Sequence, residues 1–380
     1  MSLASPPVSS SALVPEEAPG SFVSRLRTLA LEELKHQYQP DHGLFVFRLG
    51  RGPQGVVKQG ISRRYTAITA IGLVGERSED VRAVLAGRSL EVLGDRLHED
   101  VGTLDNLGDV ALTLWAGILA RHPSRERALD RLLALRPLEG PRFTVELAWA
   151  LAALSLEPAA RTHDVREQLA ARLRDAFNAE TGVFPHVVGR ARSLRAHVAC
   201  FADLVYPIQA LSFHCRATGD KRSLSAAERC AEQICRVQGA AGQWWWHYDV
   251  RTGRVIEPYP VYAVHQDGMG PMALFALREA GGRDFGDSVR RGLDWLEASP
   301  ELGGGSLVDP RAGIIWRKVA RREPGKLSRS LQALASRLSP ALRVPGLDAV
   351  FPPRVVDWES RPYHMGWLLY AFPHEAGNRW

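Results

Sequence analysis

Residues 238–274 read QGAAGQWWWHYDVRTGRVIEPYPVYAVHQDGMGPMAL, and no other part of the chain packs aromatic and ionisable side chains so densely. Trp244, Trp245 and Trp246 run together and are followed by His247, Tyr248 and Asp249. The chain then turns through Pro258, Tyr259, Pro260 and Tyr262 into His265, Gln266 and Asp267. A run of small apolar residues closes the stretch and predicts a helix. A polar amphipathic helix is expected just before it, over 220–238. Polar helix, Gly-aromatic loop and apolar helix thus form one cycle.

The cycle recurs on either side. Its loops fall at Gly43, Gly102, Gly140, Gly182, Gly242 and Gly303–Gly305. The spacing predicts apolar helices over 62–75, 106–121, 143–155, 201–217, 264–279 and 361–372. It predicts polar ones over 22–39, 78–97, 123–136, 163–178, 220–238 and 284–298. Segments such as AITAIGL, ALTLWAGILA and LAWALAAL are apolar all round and rich in Ala and Gly, as helices packed on both sides must be. Segments such as VREQLAARLRDAF keep a solvated face. Six such hairpins describe an all-α fold, an (α/α)6 toroid with inner and outer helices. Strand-like alternation is expected only in loops, including a short extended piece in DHGLFVFRLGRGPQG. Residues 1–20 have no basic n-region or apolar core and are expected to be a disordered leader, with 21–380 a single domain.

Residues 317–345 interrupt the pattern. They hold eight Lys/Arg (Arg317, Lys318, Arg321, Arg322, Lys326, Arg329, Arg337, Arg343) against Glu323 alone. Leu327, Leu331, Leu334 and Leu338 share one helical face. Such a basic amphipathic helix can contact an anionic membrane surface, cover an acidic substrate, or cap the barrel as a solvated element.

Gln238, Gly242 and Trp244 spell QxxxGxW. This resembles the repeat of terpenoid cyclases of the squalene–hopene type, in which Gln bonds helix ends and Trp stacks. Weaker copies stand at Gln39-Gly43-Phe45 and Asn178-Gly182-Phe184, each closing an outer helix. Over residues 22–375 the chain therefore resembles the α/α-toroid superfamily: terpenoid cyclases, protein prenyltransferases and six-hairpin polysaccharide lyases and hydrolases. The resemblance implies the toroid fold. Its catalytic motifs mostly do not carry over. No DxDD acid motif is present, and His197 with Cys200 and His214 with Cys215 lack the three-ligand zinc pattern of the prenyltransferases. No metal and no cofactor are expected.

Bulk properties narrow the classes. Of 380 residues, 45% are hydrophobic, enough for a large core. The formal charge is +6, and arginine far outnumbers lysine. Guanidinium groups suit carboxylate, phosphate or sulfate ligands, although composition bias would give the same excess. Cys200, Cys215, Cys230 and Cys235 are irregularly spaced and read as reduced, buried thiols of a cytoplasmic protein, peripheral at the inner membrane surface if 317–345 docks there. No apolar run approaches the ~18 residues of a membrane span. Gly50–Gly55 spells GxGxxG without βαβ context, so no dinucleotide site is expected. Nucleic acid is not expected as a partner; a small molecule, an oligosaccharide or a lipid-linked substrate is.

In a toroid, ligands enter where loops meet the inner-helix N-termini. Those positions carry Arg63, Arg64, Tyr65, Asp105, Asn106, Asp109, Glu146, Asp203, Tyr206, His265, Gln266, Asp267, Arg361, Tyr363 and His364. His265, Asp267, Asp203, Tyr206 and Glu146 are the acid/base candidates. Asp267 as a helix cap and His265 as a packed imidazole are the structural alternatives. Arg63, Arg64 and Arg361 would hold an anion. Tyr65, Asp109, Gln266, Tyr363 and His364 complete the rim, with Trp246, Tyr248, Tyr259 and Tyr262 as platforms. The reading is an enzyme using acid/base chemistry on an acidic or lipid-linked glycan: hydrolase, lyase or epimerase. A cyclase-like isoprenoid enzyme and a silent scaffold are the alternatives.

Overall fold

A computed structural model describes residues 19–53, 55–156, 160–189, 195–324, 327–339, 341–342 and 344–374. All but the last two residues of the expected leader lie outside them. Inner helices α2 (Arg63–Leu73), α5 (Leu107–Leu119), α7 (Thr144–Leu156), α9 (Ala202–Thr218), α11 (Gly270–Glu279) and α15 (Pro362–Ala371) form a ring. Each packs on the next, and α15 closes on α2. Around them lie α1 (Pro19–Gln37), α3 (Ser78–Val84) with α4 (Leu90–His98), α6 (Arg125–Ala134), α8 (His163–Ala176), α10 (Lys221–Arg236) and α12 (Gly286–Glu297). Among the described residues this is the (α/α)6 toroid.

Two close approaches need glycine. A Cβ on Gly72 of α2 would lie 2.2 Å from the carbonyl oxygen of Gly366 on α15, so the ring closes backbone to backbone. A Cβ on Gly242, whose φ is +101°, would lie 1.8 Å from the Arg291 carbonyl oxygen on α12. Beside it, Gln238 Nε2 donates to the carbonyls of Gly242 (2.7 Å) and Ser288 (2.9 Å). Trp244 is fully buried, its ring stacked on Phe201 at 5.9 Å. The motif therefore fastens one hairpin to the outer helix of the next. In the weaker copies Gly43 packs on Arg96 of α4 and Gly182 on Gln233 and the Arg229 carbonyl of α10, the same job one outer helix onward. Gln39, however, donates to its neighbour Tyr38 and, among the described residues, to no helix end.

Three expectations are corrected. The outer helix over 78–97 is two helices, because Ala86 (φ 53°) and Gly87 (φ 87°) are left-handed and Ser89 caps a new start. The loop after α1 holds a long antiparallel hairpin, Leu44–Gly52 with Gly55–Ile61. The GxGxxG glycines are at its tip. In the 317–345 insertion only α13 (Leu327–Leu338) is helical. Lys318–Ala320 is a strand between Val261–Tyr262 and Val355–Asp357, so the insertion is stitched to the barrel rim; short α14 (Leu347–Val350) follows α13. All four cysteines are free. No described helix is long and apolar enough to cross a membrane.

Candidate active site

The inner helices begin at one end of the barrel, and their first turns make a rim. Asp203, the second residue of α9, is fully buried. Its carboxylate accepts from His186 Nδ1 at 2.9 and 3.1 Å and from the Cys200 amide at 2.8 Å. A helix N-terminus also favours the negative charge. The hydrogen bond to Asp203 raises the pKa of His186 above its ordinary value against the opposing effect of burial. The imidazole is about half exposed (48%), and its Nε2 makes no hydrogen bond among the described residues.

His186 is absent from the sequence-derived acid/base candidates because only helix starts supply these. It sits in the TGVFPH loop, four residues after Gly182. Trp246 lies four after Gly242 and Phe47 four after Gly43. All three reach the rim, so registering the repeat glycines would have found His186. The antiparallel pair Arg142–Phe143 with Val187–Val188 fixes the loop, and the Thr144 amide donates to the His186 carbonyl at 3.1 Å.

His186 lines a cleft of about 830 Å³ with Phe143, Arg195, Cys200, Trp246 and Arg329. His247 stacks on Trp246 (4.4 Å, 17°), and the Arg329 guanidinium lies 4.7 Å over the same indole. Trp246 thus supports a cation instead of offering a bare sugar platform. Burial, with Arg195 and Arg329 nearby, pushes the pKa of His247 down to about 3. A ring nitrogen of His186, Cys200 Sγ and an Asp203 oxygen lie within 4.8 Å of one another, a set able to hold a divalent ion. Here the carboxylate is bonded to its two neighbours, and burial holds the Cys200 thiol well above its usual pKa.

Elsewhere on the rim the candidates are paired. Arg64 bonds Asp109 and Asn106, and Asn106 Nδ2 donates to the buried Glu146 at 3.1 Å. Tyr206 is buried edge-on to Trp149 (5.0 Å), and desolvation raises its pKa well above the usual tyrosine value. Tyr65 packs on Tyr363 at 4.7 Å and accepts from Arg361 at 2.7 Å. Arg361 also pairs with Glu359. Arg63 turns to Asp100 and the Leu97 carbonyl, tying α2 to α4. Tyr262 meets Trp246 edge-on (5.2 Å) under Arg317 (5.1 Å).

The HQD segment lies deeper than expected. His265–Met269 forms a π-helical turn ahead of α11. Asp267 and His364 are both buried and joined at 2.8 and 2.9 Å, pinning that turn to α15. His265 is sealed between Phe201 (4.4 Å) and Tyr262 (5.0 Å), and desolvation drives its pKa down to about 3, so it is not a base that titrates near neutral pH. Gln266 accepts from the Trp244 amide and donates to the Tyr262 carbonyl, and so positions the tryptophan loop. Two expected platforms are displaced: Tyr248 has no exposed surface, and Tyr259 bonds Glu301 away from the cleft. The expected platforms follow from composition, and tertiary packing sends Trp244 and Tyr248 of that loop into the core while Trp245 and Trp246 stay half-buried.

No family model matches the sequence, and no curated protein matches it. Solved structures do match. An unsaturated glucuronyl hydrolase specific for heparin has a TM-score of 0.61 at 13% identity, covering 92% of this chain and 96% of its own. The unsaturated glucuronyl hydrolase of Bacillus sp. GL1, responsible for glycosaminoglycan degradation, has 0.59 at 13%, covering 93% and 95%. A sugar epimerase from a ruminal bacterium has 0.55 at 11%, covering 92% and 97%. At these identities the likeness is one of fold: the chain is built as an α/α toroid of the kind seen in polysaccharide-processing enzymes.

Proposed function

We propose that the chain is an enzyme that acts by acid/base chemistry on a carbohydrate bearing anionic groups, as a hydrolase, lyase or epimerase. The observation that carries this reading is the His186–Asp203 pair on the wall of an open, cation-lined cleft. Asp203 holds the Nδ1 proton, which orients the ring and stabilises the imidazolium. Nε2 is then the group that meets substrate. Protonated, it delivers a proton to a leaving oxygen; neutral, it removes one from a ring carbon. Glu146, Asp109 and Tyr206 lie on neighbouring inner helices as partners in that chemistry. Asp267 and His265 act in this reading as positioning residues. An isoprenoid cyclase would call for a dry tunnel with an isolated acid, whereas the acids named here are paired.

The test is a turnover screen of uronate-containing and neutral oligosaccharides with wild type, His186→Gln and Asp203→Asn. Both variants should lose about 10²-fold or more in kcat while folding normally. Full activity in both variants, or no turnover of any oligosaccharide by wild type, would sink the reading.

A lipid-linked glycan at a membrane surface is the finer version. Leu327, Leu331, Leu334 and Leu338 of α13 favour it, being 41%, 39%, 59% and 76% exposed. Wild type should then float with vesicles of 30% anionic lipid, and the Leu334→Glu/Leu338→Glu variant should not.

A further inference from the structure

The arginines first expected to bind an anion are all engaged: Arg63 with Asp100, Arg64 with Asp109, and Arg361 with Glu359 and Tyr65. Arg329 differs. It enters the cleft from α13, and its Nε is buried without a hydrogen-bond partner among the described residues. Leaving a cationic donor unspent in a buried position is costly unless a ligand takes it.

The mounting of α13 explains why that donor faces inward. Ser328, Gln332 and Ser336 are buried, while its leucines face out. Ser336 Oγ bonds His197 Nε2 at 3.1 Å, and the Gln332 side chain accepts from the Val344 amide at 3.0 Å. A helix serving only as a lid would bury its leucines. Turned this way, its polar face packs on the neighbouring loops, and Arg329, beside that face, reaches the cleft. The indole of Trp246, itself stacked on His247, lies under the guanidinium and holds its plane. His186, Arg195 and His247 line the same cleft.

We infer that Arg329 is the anion-binding residue of the cleft. It takes a sugar carboxylate or sulfate in the subsite beside His186, and α13 is the element that selects charged over neutral glycans. The inference rests on the proposed glycan reading and names the contact that sets its substrate class. A planar fork holds two oxygens of either anion through Nε and an Nη.

The test measures binding of tetragalacturonate, its methyl ester and a sulfated but uronate-free galactan tetrasaccharide. Proteins are wild type, Arg329→Gln, Arg329→Lys and Arg337→Gln, the last removing a charge from the outer side of α13. Arg329→Gln should weaken one charged ligand by about 10-fold or more and leave the ester unchanged. Whichever charged ligand responds identifies the anion as carboxylate or sulfate. Arg329→Lys should recover only part of the affinity, because a point charge cannot form the fork. Equal weakening of charged and neutral ligands, or an equal effect of Arg337→Gln, would overturn the assignment. If wild type binds a charged ligand and Arg329→Gln binds it as well, the assignment fails while the glycan reading stands. If wild type binds none of the three, both fail together.

Discussion

Asp203 and His186 show how one buried carboxylate sets the behaviour of an exposed ring. Because Asp203 raises the pKa of His186, the pair stabilises the fold fully below the unfolded-state value near 6.5, and that contribution is lost as pH rises through the higher folded value. Asp203→Asn should therefore lower the His186 titration midpoint, read from its imidazole proton shifts; an unchanged midpoint would mean the two do not interact. Deeper in the barrel the signs differ. His265 is depressed to about 3, so the unfolded chain binds the extra proton between that value and about 6.5, and stability falls as pH drops through this window. Glu33 is raised to about 7 by desolvation on burial, which outweighs the hydrogen bonds that Ser360 and the Ile315 amide donate to it. It binds a proton in the folded state first, so it costs roughly 3 kcal/mol by pH 8 relative to pH 4. The His265 window (about 3–6.5) and the Glu33 window (about 4.5–7) overlap, so the two opposing slopes offset over about pH 4.5–6.5, and above that span the Glu33 contribution alone lowers the urea midpoint. Glu33→Gln should remove the falling slope, so that the urea midpoint rises with pH from about 4.5 to 6.5 as His265 alone dictates.

Among the elements, the tryptophan loop and the insertion carry different demands. Gly242→Ala places a Cβ onto the Arg291 carbonyl at a left-handed φ, so it should cost about 3 kcal/mol or more and read as a large fall in the urea midpoint. Loss of α13 should be tolerated. Lys318–Ala320 and Val355–Asp357 are antiparallel with Ala320 opposite Val355, so an Asn-Gly turn can replace residues 321–354. The buried Arg321–Glu257 pair at 2.8 Å would then leave an unpaired carboxylate, and Glu257→Gln must accompany the deletion. The shortened chain should melt within a few degrees of wild type but lose its preference for charged glycans; a cooperative collapse would make the insertion part of the core. The inner and outer helices were legible because apolar periodicity responds to burial on one side or both. Strand pairing at 44–61 and 318–357 was not, because its partners are distant in sequence or, in Gly55–Ile61 of the hairpin, exposed on both faces. Nor could periodicity reveal that α13 turns its leucines outward, since a leucine stripe states that a face exists and not which way it points.

At the scale of the whole molecule, closure is the property that sets this fold apart from an open stack of helical hairpins. In a linear array each unit leans on its neighbours, and losing one end leaves the rest folded. Here α15 packs on α2 through Gly72 and Gly366, on α1, and on the π-helical turn through His364–Asp267. The last hairpin thus completes the burial of the first and of the fifth. Repeat geometry alone predicts the ring but not its seam, because the seam depends on small residues 294 positions apart, Gly72 and Gly366. Ending the chain after residue 360 removes α15 and exposes the apolar flanks of α2, α11 and the buried Asp267. That variant should lose the single cooperative urea transition and the near-ultraviolet signal of its packed tryptophans while keeping much of its helical far-ultraviolet signal. A truncated chain that still unfolded in one sharp transition would show that the hairpins stand as a linear array. His364→Phe, which leaves Asp267 buried without its partner but preserves volume, should weaken the same seam by about 3–5 kcal/mol without abolishing cooperativity.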